Sequence, residues 1–246
     1  MNPEPAGWRL PDTPLRGSAV TAKLIGLVVV VATATAARAW LPVGDRYAVK
    51  AAALFAAIMG LSIGFLRQHH PFARFGAANQ ITTLRAILVA LVAGLVGELR
   101  MPAMADAAVA ASLAVVLLDG MDGWTARRQR IASPFGARFD MEIDALLILA
   151  LSVLVWRYAK AGGWVIASGL LRYVFVAAGA VMPWLRGALP ASRRRQVICV
   201  VQIAALTLAM VPSIEPPVST RLAATALLAL CSSFLFDTLW LWRRAE

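Results

Sequence analysis

Long apolar runs separated by short polar segments are the dominant pattern along this chain of 246 residues. A helix that crosses the bilayer core needs about 20 mostly apolar residues, and eight runs approach that length. The segments between them carry turn-forming residues such as Pro42 and Pro216. The pattern predicts an all-α polytopic membrane protein. The eight predicted spans are residues 24–41, 48–66, 81–97, 103–123, 139–156, 163–185, 197–212 and 222–241.

Composition and charge agree with a location in the lipid bilayer. Hydrophobic residues make up 60% of the chain and charged residues only 15%, whereas soluble domains are closer to half apolar. The net charge of +11 would suggest nucleic acid in a soluble protein. Here Lys and Arg are about twice as frequent in the loops assigned to the cytoplasmic side as in those assigned to the outer side, as the positive-inside rule describes. We therefore expect both termini in the cytoplasm, contact with anionic lipid, and no nucleic-acid partner.

The two cysteines, Cys199 and Cys231, both fall inside apolar runs. Their separation matches no metal-binding spacing, and two cysteines do not form a disulfide framework. The sequence therefore predicts that both are small buried hydrophobic residues.

Four aspartates lie at the edges of two strongly apolar spans. An ionised carboxylate inside a bilayer is costly unless it is paired or solvated, so such residues are candidates for function. Asp119 and Asp122 are three residues apart and share a helix face. Asp140 and Asp144, four apart, share a face of the next helix. The short link makes the two helices antiparallel and brings both pairs to one level, where their repulsion favours a hard divalent cation, Mg²⁺ or Mn²⁺.

Residues that suit phosphate binding surround these aspartates. Gly123 and Gly136 stand near the helix ends, where a missing side chain lets a ligand approach the backbone. Arg127 follows Gly123 by one turn and offers a fork of donors for phosphate oxygens. The segment is therefore suited to hold a pyrophosphate together with divalent ions.

Two motifs carry a resemblance to a known family. The first, Asp119-x2-Asp122-Gly123-x2-Ala126-Arg127-x8-Gly136-x3-Asp140-x3-Asp144, resembles the signature of the CDP-alcohol phosphotransferases at every defined position. The second, Asn79-x2-Thr82-x2-Arg85, is similar to the start of that family's first core helix, although Ala78 stands where the family often has proline.

This resemblance covers roughly residues 66–242 and implies a six-helix core preceded by two extra transmembrane helices. We therefore expect an N-terminal segment, residues 1–65, and a catalytic domain, residues 66–246. The family is commonly dimeric, which implies a homodimer. A bacterial inner membrane, with the active site near its cytoplasmic face, is the expected location.

The resemblance also implies a role for each site residue. Two Mg²⁺ or Mn²⁺ ions would be held by the aspartates, and one aspartate would be the general base. The metal ligands would be Asp119, Asp122 and Asp140, with Asp144 as the base that also touches metal. Residues that bind the CDP donor would be Thr82, Gly123, Ala126, Arg127 and Gly136. A basic run, Arg193, Arg194 and Arg195, would bind the acceptor.

The implied activity is that of an integral membrane transferase in phospholipid biosynthesis. It would move a phosphatidyl group from a CDP-alcohol, with CDP-diacylglycerol as the expected donor, to an acceptor alcohol and release CMP. The motif leaves the acceptor open, and it also allows a CDP-choline-type donor with diacylglycerol as the acceptor. Two other interpretations use the same carboxylates: salt bridges to Arg127, Arg128 or Arg138, or the ion pathway of an ion-coupled transporter.

Overall fold

The computed structural model is helical and contains no strand in the part that it describes, residues 13–69, 77–129, 134–190 and 192–245. Within that part, the side chains described are those of residues 21–60, 80–120, 136, 138–190 and 192–245. The prediction of an all-α protein is confirmed. The helices are α1 (Thr13–Ala37), α2 (Tyr47–His69), α3 (Ala77–Gly94), α4 (Pro102–Gln129), α5 (Pro134–Arg157), α6 (Ala167–Val181), α7 (Arg193–Met210) and α8 (Val218–Trp242).

Each predicted span overlaps one of these helices, and three helical stretches among the residues whose side chains are described are long and apolar enough to cross a bilayer. Within the described residues these are Pro102–Gly120, Gly163–Val181 and Val218–Trp242. Shorter apolar stretches lie in α1, α2 and α3. Helix α5 carries three acidic residues, and α7 begins with three arginines. The chain is thus an integral membrane protein, while eight crossings remain a prediction.

Contacts between Cα atoms divide the chain into two compact units. The first comprises Met1–Gly94 and Leu117–Ile143, and the second comprises Leu95–Val116 and Asp144–Glu246. Helices α4 and α5 are each divided between the two units. Helix α5 runs without a break from Pro134 to Arg157.

In the first unit, α1, α2 and α3 pack against one another in all three pairings. The Tyr47 hydroxyl of α2 donates a hydrogen bond to the Leu91 carbonyl of α3 at 3.1 Å. The buried Lys23 Nζ of α1 donates to the Met59 carbonyl of α2, also at 3.1 Å. Because a polar group away from water must find a partner, these two bonds fix α2 to both of its neighbours.

In the second unit, Lys160 anchors the α7–α8 turn to the end of α5. Its side chain is buried, so its charge needs several hydrogen-bond acceptors. Its Nζ donates to Pro212 O and Ile214 O at 3.0 Å and to Glu215 Oε1 at 2.8 Å, while its own carbonyl accepts from Ser219 Oγ at 2.7 Å and Thr220 Oγ1 at 3.0 Å.

A glycine allows two helices to approach closely in each unit. A Cβ atom at Gly26 of α1 would lie 2.6 Å from the Phe55 ring of α2. A Cβ atom at Gly169 of α6 would overlap the backbone of α5 at Leu149. Small residues of this kind allow close helix packing in membranes, where burial from water contributes little to the attraction between helices.

Candidate active site

Three of the four predicted aspartates come together in the structure. Asp119 lies on α4, and Asp140 and Asp144 lie one turn apart on the same face of α5. Each offers a carboxylate oxygen, and these oxygens all lie within 4.8 Å of one another. All three residues are partly buried. We call these three residues the carboxylate group.

The fourth aspartate, Asp122, lies on α4 three residues beyond Asp119, but its side chain is outside the described part. The same holds for three of the predicted donor residues, Gly123, Ala126 and Arg127. The backbone places all four on the last turns of α4.

The carboxylate group has the donor chemistry that a hard divalent cation requires. Mg²⁺ binds oxygen ligands at about 2.0–2.1 Å, so ligands on opposite sides of the ion stand about 4.2 Å apart. The observed oxygens lie within 4.8 Å of one another, which is close to that spacing. Oxygen-only ligands suit both Mg²⁺ and Mn²⁺, so the residues present fit the predicted metal.

A fully buried arginine of α3 contacts two members of the carboxylate group. Arg85 Nη1 forms an ion pair with Asp119 Oδ1 at 2.9 Å and a second, closer ion pair with Asp140 Oδ1. The arginine side chain is 1% exposed, and the two aspartate side chains are about one-third exposed. A buried charge requires compensation by an opposite charge, and here two carboxylates provide it.

Sequence reasoning included Arg85 in a motif but gave it no role. A signal was available, because an arginine inside an apolar predicted span is a functional candidate by default. The alternative partners weighed for the aspartates, Arg127, Arg128 and Arg138, were those nearest in sequence.

The other described donor residues lie close in sequence to these charged groups. Thr82 is buried on α3, and its three-residue separation places it on the same face as Arg85. Gly136 is partly exposed on α5, one turn before Asp140.

Asp144 has a partner on α7 that the sequence did not indicate. The Cys199 thiol donates a hydrogen bond to Asp144 Oδ2, with sulfur and oxygen 3.7 Å apart. Cys199 is only partly buried, and Cys231 is exposed. The expectation that both cysteines are buried was therefore wrong. An apolar run in a membrane helix also supplies the lipid-facing surface, so apolar neighbours in sequence do not imply burial in the protein.

The predicted acceptor arginines are held by a buried carboxylate of α8. Asp237 Oδ1 pairs with Arg194 Nη2 at 2.5 Å and with Arg195 Nη1 at 3.2 Å. The Arg194 guanidinium also lies over the Phe236 ring, 5.0 Å from its centroid. Arg193, in contrast, is exposed. The structure thus brings together two of the three arginines.

One face of α7 runs from Arg195 towards Asp144 on α5. Arg195, Cys199 and Gln202 follow at intervals of four and three residues, which places them on one helix face. Gln202 is fully buried, and neither atom of its amide has a hydrogen-bond partner within the described residues. Because Cys199 contacts Asp144, this stripe leads from the arginines to that aspartate.

Comparison with known proteins adds one finding. A family model described as CDP-alcohol phosphatidyltransferase matches residues 75–236, about two thirds of the chain. The match begins just before α3 and ends within α8, so it includes the carboxylate group, Arg85 and the arginine run. No curated protein and no solved structure matches the chain.

Proposed function

The chain belongs to the CDP-alcohol phosphatidyltransferase family, and on that basis we propose that it transfers a phosphatidyl group from CDP-diacylglycerol to an anionic acceptor alcohol and releases CMP. The family establishes the coarser reaction, which is phosphatidyl transfer from a CDP-alcohol in lipid synthesis. Its members are phosphotransferases for substituted phosphate groups. Family membership therefore favours an enzyme over the ion-coupled transporter that intramembrane carboxylates alone would allow.

The observation that carries the proposal is the carboxylate group, with its oxygens within 4.8 Å of one another. We assign Asp119, Asp122 and Asp140 as ligands of divalent metal, with Asp144 as a further ligand. Two ions, Mg²⁺ or Mn²⁺, would be held there. A bound divalent ion supplies positive charge that stabilises the pyrophosphate oxygens of the donor and of the departing CMP.

Asp144 is the proposed general base. It accepts the proton of the acceptor hydroxyl while the hydroxyl oxygen attacks the β-phosphorus of the donor. The bond between that phosphorus and the bridging oxygen breaks, and CMP leaves with the electron pair. The hydrogen bond from Cys199 orients the Asp144 carboxylate without supplying a charge of its own.

The donor would be held by residues of α3, α4 and α5. Thr82 is buried on the face of α3 that also carries Arg85, and its hydroxyl suits a phosphate oxygen. Gly136 allows close approach of the nucleotide to the start of α5. The remaining donor residues in the proposal are Gly123, Ala126 and Arg127 on the last turns of α4.

An anionic acceptor is supported by the charge at the start of α7. Two arginines share one carboxylate at Asp237, which leaves an excess positive charge, and Arg193 adds another. The same helix face passes through Cys199, which contacts Asp144. A phosphate of the acceptor bound at Arg194 and Arg195 would therefore leave its hydroxyl close to the base. The buried amide of Gln202 offers hydrogen bonds to further hydroxyls of the acceptor.

The proposal extends to location and assembly. We propose a bacterial inner membrane as the location, and the distribution of Lys and Arg supports both termini, and the active site, on the cytoplasmic side. Dimers are common in the family, which supports a homodimer.

The family match starts at residue 75, which supports a catalytic domain of residues 66–246 and an added segment of residues 1–65. A folded protein lacking residues 1–65 should then still release CMP, and complete loss of activity would contradict the division.

An acceptor screen with purified protein tests the reaction. The assay would combine CDP-diacylglycerol and Mg²⁺ or Mn²⁺ with glycerol phosphate, inositol phosphate, serine, choline or a second phospholipid, and measure CMP and product mass. We expect CMP release with a phosphorylated alcohol and none in EDTA or with Asp140→Asn. Folded protein that releases CMP only with serine or choline would contradict the anionic acceptor. No CMP with any acceptor would contradict the reaction.

A further inference from the structure

Arg85 pairs with two of the proposed metal ligands. It is fully buried on α3, and its guanidinium touches Asp119 and Asp140 at once. These same two aspartates belong to the group whose oxygens suit a divalent ion. A fixed cation of the protein and a mobile cation from solution are thus directed to the same carboxylates.

The charges define how the two cations affect one another. Arginine remains protonated at any physiological pH, so Arg85 with Asp119 and Asp140 carries a net charge of −1. A divalent ion bound by the same carboxylates would be close to the guanidinium, and like charges at short distance repel strongly where water is scarce. The arginine therefore offsets one of the two carboxylate charges when no ion is bound and would oppose an ion that binds.

We propose that Arg85 is a positioning residue that acts as an internal counter-cation, holding Asp119 and Asp140 in place and weakening their affinity for divalent metal. The inference rests on the proposed function, because it takes the carboxylate group to be the metal site. Arg85 then limits how firmly the ion is held. When the ion leaves, Arg85 keeps the two carboxylates together, although their charges repel each other.

Measurement of metal affinity distinguishes this role from simple packing. Mn²⁺ binding to purified protein would be followed by electron paramagnetic resonance in the absence of substrates. Arg85→Met keeps the buried volume but removes the charge, and we expect it to bind Mn²⁺ about tenfold more tightly than the original protein. Arg85→Lys keeps the charge and should stay within about threefold of the original affinity.

Arg138 provides a matched control. It lies on α5 two residues before Asp140 and is exposed, so water and salt screen its charge. Arg138→Met removes the same charge from a nearby exposed position and should alter Mn²⁺ affinity by less than about threefold. An equal gain of affinity in both variants would indicate a general change of net charge and would overturn the specific role of Arg85.

Thermal unfolding supplies a second measurement that does not depend on activity. In EDTA, Arg85→Met should unfold at a lower temperature than the original protein, and Mn²⁺ should raise its Tm by more. If Arg85→Met does not fold without metal, recovery of folded protein in Mn²⁺ supports the same conclusion, and Arg85→Gln serves for the affinity measurement.

Two results would contradict the inference in different ways. If a folded, uncharged variant binds Mn²⁺ with unchanged or weaker affinity, Arg85 only supports the packing, and the proposed function stands. If the original protein binds no Mn²⁺ at all, the metal site is wrong, and the proposed function fails together with the role of Arg85.

Discussion

Two clusters of charge, one in each compact unit, have opposite compositions. In the first, one arginine is shared by two aspartates, because Arg85 contacts Asp119 and Asp140. In the second, one aspartate is shared by two arginines, because Asp237 contacts Arg194 and Arg195. In both clusters the central charge is largely buried, with side-chain exposure of 1% for Arg85 and 11% for Asp237. The outer charges are each about one-third exposed.

In each cluster the central charge holds the outer charges in position, and the outer charges are the ones that can bind a ligand. A buried central ion needs both of its partners, since removal of one partner of a buried pair is strongly destabilising. The outer ions keep part of their surface available for a ligand. The first cluster has a net charge of −1 and suits a metal cation, whereas the second has a net charge of +1 and suits a phosphate. The proposed reaction requires both.

The largest expected effect comes from breaking the first cluster. Asp140→Asn removes a proposed metal ligand and one of the two partners of Arg85. We expect CMP release to fall by roughly 10³-fold or more, since metal provides much of the charge stabilisation in such reactions. Glu142→Gln is the matched control, because it removes a carboxylate from the same helix two residues away and should keep activity within about threefold. Near-normal activity of Asp140→Asn, measured as CMP release, would show that Asp140 is not a ligand.

A second prediction divides the aspartates by role. Asp144→Asn removes the proposed base and should lower kcat by about 10²–10⁴-fold, while the CDP donor still binds in the presence of Mg²⁺. Asp122→Asn removes a proposed ligand and should lose donor binding as well. Donor affinity can be measured by calorimetry in detergent. Loss of donor binding in Asp144→Asn to the same degree as in Asp122→Asn would make Asp144 chiefly a metal ligand.

The third prediction concerns the second cluster. Replacement of Arg193, Arg194 and Arg195 by Gln should raise the acceptor KM by about tenfold or more while donor affinity is unchanged, because uniform binding energy appears in KM. Most of the effect should come from Arg194 and Arg195, which Asp237 holds in place. Arg193→Gln alone, at an exposed position, should change KM by less than about threefold. An unchanged KM in the triple variant would leave the arginines with only a role in topology.

The helices were predictable from the sequence, whereas their ends and the pairing of charges were not. A run of about 20 apolar residues has few alternatives to a helix in a membrane. Hydropathy ends the fourth span near residue 123, but α4 continues to Gln129. The segment Ala126-Arg127-Arg128-Gln129 consists of strong helix formers and extends the helix beyond its apolar part.

Charge pairing depends on packing between helices that are distant in sequence. Arg85 is 55 residues from Asp140, so no helical spacing relates them. Spacing did relate Asp140 to Asp144, and the structure places them together with Asp119. Residues joined by one helix or one short link were therefore within reach of sequence reasoning. The shared ion pairs at Arg85 and Asp237 required the tertiary structure.

The smallest expected effect tests whether the link between α7 and α5 matters to catalysis. Cys199→Ala removes the thiol that donates to Asp144 Oδ2 across 3.7 Å. A thiol is a weak hydrogen-bond donor, and Asp144 keeps its charge without it. We therefore expect kcat to fall by only about two- to threefold, as for a loss of roughly 0.5 kcal/mol, with donor and acceptor KM unchanged. Cys231→Ala is the matched control, because Cys231 is exposed and should have no effect. A loss of a hundredfold in Cys199→Ala, but not in Cys231→Ala, would show that the thiol takes part in proton transfer, and the role of sole base could no longer be given to Asp144.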